Sequence, residues 1–303
     1  MGVVEARQLE RDFGAFRAVD GIAFNIEEGE CYGFLGPNGA GKTTTVRMIQ
    51  GLLPRTGGDL TVFGKDIDRE PVSIKADLGV VSQENNLDRD LTVRQNLLTY
   101  ARYFDIEPEV AQSRADELLK FLHLDGKKGD KLSAISGGMQ RRLAIARALI
   151  NGPRLMLLDE PTTGLDPQAR HMIWARLRSL KKQKITMILT THYMEEAERL
   201  CDRVAIMNGG KILMEGKPSE LVKDVIGEEV IELNLGDENR QAALNRVRAL
   251  GAAYEMHGDT VYIYNGRHEM LSALVGIGHR SVLHRKATLE DLFLKLAGRT
   301  LVD

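Results

Sequence analysis

The segment Gly36-Pro37-Asn38-Gly39-Ala40-Gly41-Lys42-Thr43 constrains this chain more than any other. It follows an apolar run, CYGFL, and leads into the helix-forming stretch TTTVRMIQ, so the spacing G-x-x-x-x-G-K-T falls at a strand-to-helix turn. There the glycines let backbone N–H groups turn inward onto phosphate oxygens, and the helix N-terminus adds its partial positive charge. Lys42 is then placed to reach the outer phosphates, and the hydroxyl of Thr43 to ligate Mg²⁺. Such a loop between a buried strand and a helix points to an α/β protein.

The rest of the pattern agrees. The first 35 residues alternate apolar and polar positions in short runs, with Glu28-Gly29 read as a hairpin turn, so an antiparallel layer is expected to open the fold. Val46 to Leu53 turns helical, and Thr61 to Gly64 and Gly79 to Ser82 read as short strands. From Glu84 to about Leu149 apolar residues recur at three- and four-residue intervals, the mark of an inserted helical lobe. RLMLLDE and KITMILTTH, separated by the helical stretch Pro167 to Leu180, read as parallel strands buried on both faces. VAIMNGGKILMEG gives two more strands around Asn208-Gly209.

At 303 residues the chain holds a full α/β core and a second, smaller unit, with the division expected at 222/223. Residues 223–303 restart with a strand (VIELNL), a helix (RQAALNRVRALG), a strand pair around His257-Gly258 and a closing helix, TLEDLFLKLAG, with Thr288 as its N-cap. The 43 acidic and 41 basic residues leave a net charge of -2, so no global field draws the protein to nucleic acid, and no nucleic-acid partner is expected. Two cysteines are too few for a disulfide scaffold and fit a reducing cytosol. No stretch approaches the roughly 18 apolar residues of a membrane helix, and the N-terminus has acidic residues where a signal peptide is basic and then apolar.

Two further segments carry chemistry. Leu155 to Glu160 is an apolar strand ending in two carboxylates, tolerable only at its tip. Asp159 is there the carboxylate for the Mg²⁺ shell, and Glu160, pointing the other way, is placed to polarise the water that attacks a γ-phosphate. Ser136-Gly137-Gly138 opens the helix that continues RRLAIARALI, with serine at an N-cap and glycines permitting close approach to an anion.

Together the phosphate loop GPNGAGKTT, ISGGM, LLDEPTTGLD, Gln83 in VVSQENN, and THYMEEAERLCDR after a buried strand resemble, in order, the motifs of the ATP-binding subunits of ATP-binding-cassette (ABC) transporters. The resemblance covers residues 3 to about 222 and implies the P-loop ABC ATPase fold: a mixed sheet core, an antiparallel β layer, a helical lobe at about 84–149, and here a small C-terminal α/β domain. It also implies roles. Phe13, where the family usually has tyrosine, resembles the aromatic that stacks on adenine. Gln83 resembles the glutamine that senses Mg²⁺ and couples to the membrane subunit. Ser136, Gly137 and Gly138 resemble the signature closing over ATP held by the opposite protomer. Asp166 resembles the aspartate of the loop between the two sites, and His192 the switch histidine at the γ-phosphate. The departures, Ile135 and Met139 for leucine and glutamine in the signature, leave its serine and glycines intact.

The implied assembly is a head-to-tail, ATP-dependent homodimer on the cytoplasmic face of the cell membrane, driving a separate transmembrane permease. The runs NNLDRDLTVRQNLL and GLDPQARHMIWARLR resemble the branch of nodulation-factor and daunorubicin-type drug exporters. The rival reading, a non-transport ABC ATPase acting on ribosomes or DNA, meets a chain with a single cassette and no heptad run.

Overall fold

A hairpin begins the computed structural model: β1 (Val4–Phe13) pairs antiparallel with β2 (Phe16–Ile26). Glu28-Gly29, expected as a second hairpin, instead carries the chain out of this sheet. β3 (Cys31–Leu35) lies between parallel neighbours in a six-stranded sheet. A left-handed glycine, Gly29 at φ 75°, makes a tight turn whichever sheet the next strand joins, so local turn chemistry does not distinguish the two. After α1 (Lys42–Ile49), β4 (Gly57–Val62) returns to β1 and β5 (Lys65–Asp66) completes the antiparallel sheet, ordered β2-β1-β4-β5.

α2 (Pro71–Ala76) leads to β6 (Leu78–Val81), and the expected lobe follows as α3 (Val93–Arg102), α4 (Pro108–Phe121) and α5 (Gly137–Leu149). Thr92 starts α3 with a capping box, its hydroxyl accepting from the Gln95 N–H while the Gln95 side chain accepts from the Thr92 N–H. Then come β7 (Leu155–Asp159), α6 (Pro167–Lys182), β8 (Thr186–Thr191), α7 (Met194–Leu200), β9 (Arg203–Asn208) and β10 (Lys211–Gly216). The sheet order is β10-β9-β3-β8-β7-β6. As read from the sequence, β7 and β8 are parallel and buried at every position. The turn before β10 falls on Gly209-Gly210, one residue later than expected, because both central positions carry positive φ, 52° and 78°.

The core forms where the antiparallel sheet and α1 meet one face of the six-stranded sheet. Alternate residues of the strands point there: Tyr32 and Phe34, Leu155 and Leu157, Ala205 and Met207. Phe24 packs edge-on against Phe34, with ring centroids 5.1 Å apart, and each such buried ring contributes about 1.5–3 kcal/mol. α7 packs against β3 and β8.

The structure describes residues 2–236, 240–266, 268–274 and 279–298. The chain divides into two units, residues 1–215 and 216–303. In the second, α8 (Pro218–Val225) precedes an antiparallel sheet of β11 (Glu229–Asn234), β12 (Tyr254–His257), β13 (Thr260–Tyr264) and β14 (Ser281–Lys286), ordered β12-β13-β11-β14. α9 (Arg240–Ala249) and α10 (His268–Leu274) contribute Ala243, Val247 and Leu274 to a core with Ile231, Leu233, Val261 and Ile263. The closing helix α11 (Leu289–Gly298) packs on α8. Thr288 stands at its start, but its hydroxyl and backbone N–H both donate to the Asp291 carboxylate. α10 and β14 were not expected from the sequence, since HEMLSAL is one short turn pattern and SVLHRK is basic at its end.

Candidate active site

The phosphate loop is shaped by positions where a side chain cannot stand. A Cβ at Gly36 would lie 2.2 Å from the Met207 carbonyl oxygen, and one at Gly41, held at φ 101°, 2.6 Å from that of Ala18. Lys42, the first residue of α1, is nearly buried, and its Nζ donates to the carbonyls of Gly36 (2.8 Å) and Pro37 (2.9 Å). Burial lowers its pKa, against the opposing influence of Glu160 and Asp159. An ammonium has three N–H donors, so two carbonyl bonds leave one for an anion, as a bound polyphosphate requires.

Beside the loop, Thr43 Oγ1 donates to Asp159 Oδ1 at 3.2 Å, and the Thr190 hydroxyl donates to the same oxygen. The Thr43 hydroxyl and the Asp159 carboxylate are hard oxygen donors of the kind that suits Mg²⁺. Asp159 ends β7, which brings it level with Thr190 on β8. Glu160 follows in a left-handed conformation at φ 46°, its N–H bonded to the Thr190 carbonyl at 3.0 Å. A non-glycine residue there costs about 1–2 kcal/mol, the kind of strain that gathers at functional sites. Its carboxylate accepts from the Thr163 hydroxyl at 3.0 Å and faces His192 Nδ1 at 3.3 Å.

Lys42, Thr43, Glu160 and His192 meet around one cavity of about 510 Å³, lined also by Asn38 to Gly41, Thr44 and Gln83, with Phe13, Phe16 and Ala18 giving it an apolar end; Asp159 stands behind Thr43, outside the lining. Phe13 is half exposed and stacked on the Arg11 guanidinium, 4.5 Å from the ring centroid. The remaining residues singled out from the sequence do not line this cavity. Ser136 caps α5, its hydroxyl accepting from the Met139 N–H at 3.3 Å, and Asp166 caps α6 by accepting from Ala169 N–H at 2.8 Å. Gly137 faces open space, while a Cβ on Gly138 would lie 3.2 Å from Ala169.

Sequence reasoning passed over Arg141. It is almost wholly buried on α5, and its guanidinium reaches both the Gln83 loop and the Asp159-Glu160 segment. The available signal was positional: Arg141 shares the buried stripe of Ala144, Ile145 and Ala148, where an arginine is out of place unless it is bonded.

Comparison with known proteins agrees with this geometry. Residues 19–163 match the ABC transporter family model, and residues 239–298 match that of the C-terminal domain of the nodulation factor export protein NodI. The chain is 44% identical to the Nod factor export ATP-binding protein I of Burkholderia lata over 301 residues, 99% of this chain and 98% of that protein. Identity to the protein of the same name from Rhizobium etli is 43%, over 99% of this chain and 94% of the relative. Among solved structures, a dimeric post-hydrolysis state of an ATP-binding cassette bound to ADP and Pi superposes with a TM-score of 0.64 at 30% identity, covering 71% of this chain and 98% of the other. A nucleotide-free cassette from an ABC transporter gives 0.67 at 27%, covering 75% and 96%. With a relative this similar along its whole length, the chain belongs to the ATP-binding subunits of ABC transporters, in the branch of the Nod factor export ATP-binding proteins.

Proposed function

We propose that two copies of this chain close head to tail over ATP and Mg²⁺, and that their closing and parting drives a separately encoded transmembrane permease from the cytoplasmic face of the membrane. The observation that carries this reading is the cavity shared by Lys42, Glu160 and His192. Ser136-Gly137-Gly138, a capped helix start, lies outside it and is free to serve nucleotide held by a second copy. The chain is an ATPase of the exporter type, and its cargo is proposed to be of the Nod-factor class named for its relatives.

Backbone N–H groups of residues 38–44 and the Lys42 ammonium would hold the phosphates, and the Phe13 ring would carry the adenine. Thr43, Asp159 and Gln83 would hold Mg²⁺, which neutralises charge on the phosphates. Glu160 accepts a hydrogen bond from the attacking water and orients it. The oxygen bonds to the γ-phosphorus, the bond to the β–γ bridging oxygen breaks, and ADP and phosphate leave. His192, 3.3 Å from Glu160, would hold that carboxylate in place and contact the γ-phosphate. Asp166 lies on the loop that would cross to the partner's site.

For the permease we assign the cleft of about 780 Å³ between the Gln83 loop and the helical lobe, lined by Gln83, Asn85, Arg89, Leu132 and Gln140 among others. Among the described residues no helix is long and apolar enough to cross a membrane. The second unit, residues 216–303, is proposed as an accessory domain for docking or dimerisation.

Glu160→Gln tests the reading. The variant should bind ATP with parental affinity, turn over about 100-fold more slowly or worse, and run as a dimer in ATP by size-exclusion chromatography with light scattering. Parental turnover, or a monomer at saturating ATP, would defeat it.

A further inference from the structure

A single buried guanidinium ties the Gln83 loop to the strand end that bears Glu160. Arg141 is 4% exposed. Its Nε donates to the Pro161 carbonyl at 2.7 Å, and its Nη2 to those of Asp159 (3.0 Å) and Glu160 (2.9 Å). Its Nη1 turns the other way, to the carbonyls of Ser82 and Gln83 (3.3 Å) and to Asn85 Oδ1 (3.2 Å). All these acceptors are neutral amide oxygens. The charge therefore sits among the carbonyl dipoles that follow β6 and β7, rather than in an ion pair.

A charge is tolerated at such depth only when it is hydrogen-bonded, and here every bond goes to one or other of the two segments. Five N–H donors in a fixed plane can hold two segments in one geometry, which an ammonium or an amide cannot do. Displacing Ser82-Gln83 pulls on Nη1, and the same rigid plane pulls on the carbonyls at 159–161, to which the Glu160 carboxylate is attached.

We propose that Arg141 is a positioning residue that couples the Gln83 loop to Glu160, so that movement of that loop sets whether the carboxylate stands where it can orient water. The inference rests on the reading of Glu160 given above. It goes beyond that reading by naming the side chain that transmits position between the two segments.

The test uses the full-length chain with Mg-ATP. Arg141→Lys keeps the charge but not the planar fork, and Arg141→Met removes both, so the two are compared with the parent for ATP affinity, turnover and melting temperature. In Arg141→Lys, affinity should stay within about threefold while kcat falls about tenfold or more. A parental kcat in Arg141→Lys, or equal losses in affinity and turnover, would overturn the proposal.

Should Arg141→Met fail to fold, Arg141→Lys alone decides. Combining Arg141→Lys with Glu160→Gln separates this inference from the reading beneath it. If Arg141 acts through Glu160, the double variant turns over no more slowly than Glu160→Gln alone, whereas multiplying losses would mean an independent, merely structural role. Glu160→Gln at the parental rate would instead strike the Glu160 reading itself.

Discussion

Glu196 is a carboxylate with no exposed surface, held by the Thr162 hydroxyl at 2.7 Å and the Trp174 indole N–H at 2.9 Å. Burial raises its pKa above the ordinary 4.5, with those bonds only partly opposing. Between 4.5 and the raised value the folded chain therefore holds a proton that the unfolded chain has lost. Stability from this group is complete below 4.5 and declines as pH rises through the folded pKa. Glu196→Gln keeps an acceptor for Thr162 and Trp174 and does not titrate. Its melting temperature should gain on the parent's as pH rises from about 4.5 to 8, and a constant difference across that range would count against the assignment. At this scale Lys42, Thr43, Asp159 and Glu160, which the structure brings close together, were legible because each stands at a fixed offset from a strand end or a glycine loop, and His192 through the family resemblance. The sequence did not disclose Arg141 or Glu196. What sets those two apart is burial on the α5 and α7 stripes, which a charged residue type by itself does not announce.

Elements meet where strands carry no side chain. In β6, a Cβ at Gly79 would lie 2.2 Å from the Ala148 carbonyl oxygen and 2.8 Å from Pro153 Cγ, so α5 rests directly on the strand backbone. Gly79→Ala should push α5 away and cost about 2 kcal/mol or more, read as a fall in melting temperature. Because α5 also carries Arg141, turnover should fall with it, and an unchanged melting temperature would mean that this contact is not close. The parallel strands β7 and β8 were plain from their uninterrupted apolar runs, and the lobe from its helical period. The crossing from β2 to β3 was not, since pairing partners lie far apart in sequence while the turn between them reads the same either way. β14, half exposed at the edge of its sheet, has no apolar run to mark it.

The whole molecule divides at 215/216, ahead of the sequence-based boundary. The reason lies inside the second unit: α8, whose Leu221 and Val222 are buried, packs on α11. A chain ending at Lys223 keeps most of α8 without its cover, whereas one ending at Glu215 does not. The longer fragment should therefore bind a hydrophobic dye and associate, while the shorter stays monomeric without nucleotide. Equal behaviour of the two would place the boundary elsewhere. Length and the restarting strand–helix pattern announced a second unit, but its first helix could be assigned only from packing.

The apolar end of the cavity has a further consequence. Phe13, Phe16 and Ala18 offer a flat hydrocarbon surface with no side-chain donor or acceptor, and a ring face grips any purine alike, whatever groups lie on its edge. On the proposed stacking of the base at Phe13, the site would sense triphosphate rather than base. GTP should compete with ATP within about tenfold, and turnover in a cell would then follow the total purine triphosphate rather than ATP alone; a GTP affinity about a hundredfold weaker would count against base stacking at Phe13.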